Sequence, residues 1–181
     1  MAALRQREGL AARALEFAIL TAARSGEVRG AQWSEFDMDA ATWTIPGERM
    51  KMGQAHRVPL TESAMGILRA LPRLEDVEFV FPAPRGGALS DMTLTAVMRR
   101  MGVDAVPHGF RSTFRDWAGE RTNYPREVAE MALAHKVGDQ TETAYWRGDL
   151  FDKRRRMMAD WAKFVDTIQA TGNVLPLRGT A

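Results

Sequence analysis

Six side chains of this 181-residue sequence have the types and spacing for chemistry on an anion: Arg24 in "TAARSGE", Lys51 in "RMKMG", His108 and Arg111 in "PHGFRST", His135 in "LAHK" and Tyr145 in "TAYWRGD". His108 and Arg111 stand three apart at an expected helix start, so both can face one way beside unpaired backbone N–H groups and the positive end of a helix dipole. That is an anion site in outline. Arg24 is expected at another helix end, and two guanidinium forks from different elements can hold the two non-bridging oxygens of one phosphodiester. Singly, each arginine reads as a surface or ion-paired residue and His108 as a buried, hydrogen-bonded one. The set in order carries the argument.

The totals bound what surrounds these residues. A chain of this length supports one domain with a sizeable core, expected at about 10–168 with a mobile or partner-bound tail at 169–181. Apolar residues make up 45% and charged residues 27%, ordinary for a soluble globular domain, and no apolar run approaches the roughly 20 residues of a membrane helix. With no cysteine there is no disulfide framework, thiolate metal site or cysteine nucleophile. No signal peptide is visible, so a reducing, cytoplasmic setting is expected. The net charge of +2 says little, but basic residues cluster at Arg99–Arg100, at Arg111 with Arg115, and in "DKRRRM". Each cluster taken alone reads as a solvated helix face.

The elements that must position the six residues follow from pattern. Leu10, Ala14, Phe17, Ala18 and Thr21 recur at helical spacing without Gly or Pro, predicting a core helix that ends near Arg24-Ser25-Gly26. From Trp33 to Leu60, short stretches rich in Trp, Thr, Ile and Val, broken by turn residues, predict about three antiparallel strands with Lys51 near the last turn. Thr61 suits the N-cap of a helix through Leu71, "FVFPA" an extended segment, and Ser90-Asp91 the start of a helix to Met101. Pro107 begins a helix in "PHGFRSTFRDWAGERT" and Pro125 another in "PREVAEMALAHK", which would carry His135; "QTETAYWRG" is a short one and "DKRRRMMADWAKFVDTI" a last amphipathic one. The fold class is mainly α with a small antiparallel β-sheet (α+β).

In order and spacing, Thr21-Ala-Ala-Arg24-Ser-Gly-Glu27, Lys51 on a hairpin, His108-Gly-Phe-Arg111, Leu133-Ala-His135 and then Tyr145 resemble the catalytic domain of the tyrosine recombinases. The nearest likeness is to the integrases of prophages and genomic islands, over about Leu10 to Val165. The resemblance implies an arginine pair (Arg24, Arg111) on the scissile phosphate, Lys51 as the hairpin lysine, His108 and His135 as the two histidines, and Tyr145 as nucleophile. Glu27 would be a structural acid bracing the site, its alternative being a solvent-facing pair with a neighbouring arginine. A phenol with pKa near about 10 attacks only as a base removes its proton. A lysine ammonium suits protonation of a leaving 5′-oxygen, and arginines suit the charge of the transition state. The product would be a 3′-phosphotyrosyl ester, reversible without ATP or metal. No cofactor is expected, there being no Walker loop, two-metal acid pattern or zinc spacing.

The resemblance also implies double-stranded DNA attachment sites as partner and four protomers on two duplexes. Accessory DNA-bending or excisionase proteins would assist, and the C-terminal tail could dock on a neighbour. Family members carry N-terminal arm-binding and core-binding domains, and the expectation is that this chain is the catalytic domain without them, monomeric alone. His56 in "AHRVPL" is expected to be structural or to meet DNA backbone, and Tyr124 is a rival nucleophile with no paired histidine. Trp146 stands where relatives usually carry a small or polar residue. A DNA-binding remnant without turnover and a type IB topoisomerase are the competing readings.

Overall fold

A computed structural model describes residues 1–137 and 148–167. Tyr145, with most of the short helix expected around it, and the expected tail at 169–181 lie outside the described residues. The elements run α1 (Ala2–Arg5), α2 (Leu10–Thr21), α3 (Ser25–Arg29), β1 (Phe36–Asp37), β2 (Thr42–Ile45), β3 (His56–Pro59), α4 (Glu62–Ala70), α5 (Thr93–Arg100), α6 (Gly109–Arg121), α7 (Arg126–Ala132) and α8 (Phe151–Asp166). Single 3-10 turns stand at Trp33–Glu35 and Gly47–Arg49.

Helix α2 is the centre. With neither Gly nor Pro to break it, it buries Ala14, Leu15, Phe17, Ile19 and Leu20 around most of its circumference, and α1, α3, α4, α5 and α8 all pack against it. A helix buried on nearly all sides needs apolar neighbours on each. On one side Phe17 meets Phe36, Trp43 and Phe81 at ring separations of 5.6–6.1 Å, and Phe36 stacks on Trp43. On another, Phe114, Trp117, Trp161 and Phe164 form a second aromatic group, and the Trp161 Nε1 donates to the Ile19 carbonyl at 2.8 Å. Aromatic groups of this kind contribute about 1 kcal/mol per pair beyond the area they bury. Leu4 is buried, so packing reaches N-terminal of Leu10.

The sheet is antiparallel in the order β1-β2-β3, with Trp43 opposite Val58 and Ile45 opposite His56. Trp43, Ile45 and Val58 are buried, and the Trp43 indole donates to Glu35 at 2.8 Å. Between β2 and β3 the chain folds tightly enough that a Cβ at Gly47 would lie 2.6 Å from the Gly53 carbonyl oxygen. Only glycine fits there, and that close approach shapes the turn carrying Lys51. Thr61 caps α4 as expected, its Oγ1 accepting from Ala64 N at 3.4 Å. Helix α5 begins at Thr93, later than Ser90-Asp91, and Asp91 pairs with Arg29.

Helix α7 stops short of its expected end. Leu133 is the C-cap, Ala134 takes a left-handed conformation (φ 49°), His135 N donates to Glu130 O at 2.9 Å, and Ala134 N donates to Met131 O at 3.1 Å. This is the Schellman pattern with alanine where glycine is usual. His135 therefore lies just past the helix, not on it.

Candidate active site

Arg24 stands between α2 and α3. Helix α2 ends as Ala22 turns left-handed (φ 51°), and Arg24, in extended conformation, becomes the cap residue of α3. The carboxylate of Glu27, three residues on, accepts from the Arg24 backbone N–H and from its Nη1, both at 2.7 Å. Glu27 is 6% exposed, so this is a buried brace and not a solvent-facing pair.

Arg111, on the first turn of α6, is 5% exposed. Its Nη1 donates to Ala22 O and its Nη2 to Leu133 O, the latter at 2.6 Å. Arg24 Nη2 reaches the same stretch, lying 3.5 Å from Leu133 O and 3.4 Å from Ala134 O. Two left-handed alanines thus present carbonyls to the two guanidinium groups. A left-handed non-glycine residue costs roughly 1 kcal/mol, which the charged hydrogen bonds can offset. Arg111 Nε is buried with no hydrogen-bond partner among the described residues. Burial first, then the like charge of Arg24, pushes the Arg111 pKa down to about 10, against the pull of Glu27. The pair holds two cations against one buried carboxylate.

His135 completes the cluster, with Nε2 3.4 Å from Arg111 Nη2 and Nδ1 2.7 Å from Glu130 Oε2. The other Glu130 oxygen accepts from Arg115 Nε at 2.6 Å. Those hydrogen bonds hold the Glu130 carboxyl below the usual range in spite of its partial burial. Sequence reasoning passed over Glu130; its signal is a glutamate five residues before the histidine, a spacing that means contact only when a Schellman turn intervenes.

His56, on β3, lines a narrow crevice with Thr21, Glu27, Arg111 and Leu133. Burial first, then the charge of Arg154, pushes its pKa down to about 4, so the ring is neutral at pH 7.

Two other expected residues stand at the surface. Lys51 is exposed in the turn before β3, and His108 is exposed at the start of α6. Arg111, drawn inward by its carbonyl acceptors, does not share His108's exposure, so their spacing of three does not place both in one buried site. The rival Tyr124 is engaged elsewhere. Its hydroxyl donates to Asp160 Oδ2 at 2.7 Å, and burial together with that carboxylate pushes its pKa up to about 12.

In "DKRRRM", the expected solvated face contains one residue that is not solvated. Arg154 is 1% exposed, donating through Nε to Asp149 O at 2.7 Å, through Nη2 to Asp149 Oδ2 at 2.7 Å and through Nη1 to Arg57 O. Asp149 is also held by the Arg57 fork at 2.8 and 3.0 Å. The stretch beginning four residues after Tyr145 is thereby fastened to β3.

Among the described residues, a helical domain with one three-stranded sheet, and two arginines 87 positions apart that meet at the Leu133 carbonyl, define an integrase-type fold. The sequence profile of the phage integrase family matches residues 2–149, and the chain belongs to that family. It is 36% identical over 162 residues to the prophage integrase IntA of Escherichia coli K12, covering 87% of this chain and 39% of that protein. It is 34% identical over 173 residues to the integrase of Enterobacteria phage P4, covering 84% and 39%. The chain thus spans about two fifths of these relatives. Among solved structures, the integrase of mycobacterium phage Brujita superposes with a TM-score of 0.66 at 20% identity, over 92% of this chain and 57% of that one. A lambda integrase (75–356) dimer bound to a COC′ core site superposes at 0.54 and 19% identity, over 81% and 55%. These likenesses bear out the α+β fold class.

Proposed function

We propose that this chain cleaves and rejoins DNA strands in site-specific recombination, integrating and excising a mobile element. The observation that carries the reading is the Arg24–Arg111 pair. Two guanidinium groups 87 positions apart in sequence meet at the Leu133 carbonyl, oriented by backbone carbonyls and opposed by a single buried carboxylate. Such a site has positive charge to spare for a phosphodiester, where preorganised donors typically contribute on the order of 3 kcal/mol each to the transition state.

In this reading Tyr145 Oη attacks the scissile phosphorus as His108 takes its proton. The phosphorus–O5′ bond breaks, and Lys51 delivers a proton to the leaving oxygen. His135 donates to a phosphate oxygen. The resulting 3′-phosphotyrosyl ester keeps the bond energy, so a 5′-hydroxyl from the partner duplex reverses the step. Lys51 and His108, exposed in the free chain, would come to the phosphate when DNA binds. Association with duplex DNA is expected to be dominated by phosphate contacts and to weaken steeply with salt. Four protomers on two duplexes, with accessory bending proteins, complete the proposal.

The test is covalent capture on a nicked duplex whose cleaved end cannot be religated. The native chain should form a protein–DNA adduct that Tyr145→Phe abolishes. An adduct that survives in Tyr145→Phe would sink Tyr145 as the nucleophile.

A further inference from the structure

Glu130 has no part in the reaction just described, yet it is tied to His135 twice. Its backbone carbonyl accepts the His135 N–H at 2.9 Å, closing the Schellman turn, and its side-chain Oε2 lies 2.7 Å from His135 Nδ1. Its other oxygen is taken by Arg115 Nε at 2.6 Å, with Arg126 a further 3.6 Å contact, so the carboxylate is gripped from α6 and from its own helix. On the opposite side of the ring, Arg111 Nη2, which can only donate, faces Nε2 at 3.4 Å. A carboxylate that accepts on one side and a guanidinium that donates on the other are compatible with a single neutral form of the ring, with hydrogen on Nδ1 and a lone pair on Nε2.

We propose that Glu130 is a positioning residue, which locks His135 in its Nδ1–H form with Nε2 turned to Arg111 and the anion crevice. When a phosphate arrives and Nε2 takes up a proton from solvent to donate to it, the same carboxylate balances the imidazolium. The inference rests on the reading of His135 as a phosphate donor. It adds a residue that never touches the substrate.

Glu130→Gln tests it sharply. The amide has one acceptor oxygen where the carboxylate had two, and Arg115 and His135 Nδ1–H both need one. With the oxygen kept by Arg115, the amide NH2 faces Nδ1 and the ring must carry its hydrogen on Nε2. The chain holds three histidines, so two-bond 1H–15N spectra of the imidazoles can resolve His135. The native chain should show the Nδ1–H form and Glu130→Gln the Nε2–H form. Adding Arg115→Met, which frees the amide oxygen, should restore Nδ1–H. Single-turnover cleavage of the nicked duplex at saturating DNA should fall roughly 10-fold in Glu130→Gln, because without the carboxylate the ring donates to the phosphate as a neutral Nε2–H and not as an imidazolium, with duplex affinity unchanged. An Nε2–H ring in the native chain, or the same tautomer in both proteins, would overturn the positioning claim. A flipped tautomer with native cleavage rate would overturn its bearing on the reaction. Neither outcome depends on Tyr145, whose failure as nucleophile the Tyr145→Phe adduct reports separately.

Discussion

Replacing Arg154 by methionine removes a buried charge and leaves the apolar part of its side chain in place, and the structure gives the size and sign of the effect. Three hydrogen bonds disappear, to Asp149 O, Arg57 O and Asp149 Oδ2. The two backbone carbonyls lose about 1 kcal/mol each. The Asp149 carboxylate loses about 1 kcal/mol more, a modest figure because it is 40% exposed and keeps the Arg57 fork. Against this, burial is the largest influence on the Arg154 pKa and lowers it, so the guanidinium is costly to desolvate. A thioether in its place recovers on the order of 1 kcal/mol.

The net expectation for Arg154→Met is a loss of about 2 kcal/mol, or a Tm lower by roughly 4–8 °C for a domain of this size. Thermal and urea unfolding followed by circular dichroism measure it. An unchanged or higher Tm would refute the reasoning, since desolvation would then outweigh the three bonds and the clamp between α8 and β3 would not be a source of stability.

Two more outcomes follow from perturbed groups. His56 has a folded-state pKa of about 4 against an unfolded 6.5, so its burial contributes stability that is complete above pH 6.5 and is lost as pH falls from 6.5 towards 4. The gap corresponds to about 3 kcal/mol, and urea unfolding across that range should show a shallower decline in His56→Gln than in the native chain. Tyr124→Phe removes the hydroxyl bonded to Asp160 and should leave covalent capture on the nicked duplex intact while costing about 1 kcal/mol in the same unfolding assay; loss of the adduct would restore Tyr124 as a candidate nucleophile.

What the sequence disclosed and what it withheld have separate physical causes. Helix α2, the sheet and α8 were legible because period and turn chemistry are local signals: an unbroken apolar period, β-branched stretches split by Gly and Pro, and a capping threonine at 61. The convergence of Arg24 with Arg111 was legible only through resemblance, because their meeting is made by carbonyls of Ala22, Leu133 and Ala134, which no side-chain pattern advertises. The place of His135 was misjudged for a related reason. The Schellman turn that ends α7 uses alanine, so the glycine that ordinarily marks a helix end is missing from "EMALAHK". Arg154 resembled its exposed neighbours in "DKRRRM" because composition cannot say which of several adjacent arginines turns inward.

The way the two site arginines are held bears on what they can do. Elsewhere among the described residues buried or half-buried arginines meet carboxylates: Arg13 on Glu16, Arg49 on Glu35, Arg115 on Glu130, Arg154 on Asp149. Arg24 has one acid, Glu27, and among the described residues Arg111 pairs with none. Backbone carbonyls orient a guanidinium without a formal charge, so the pair keeps about one uncompensated positive charge. At 4 Å and an effective dielectric near 20 that charge attracts an anion by about 4 kcal/mol. Had a second carboxylate fixed Arg111 instead, the same geometry would be neutral, and a phosphate would gain little by entering. The acid that comes nearest from α7, Glu130, is kept from Arg111 by the imidazole of His135 between them. Its charge is thus set behind that ring, which leaves the two guanidinium groups free for the phosphate of the function proposed above.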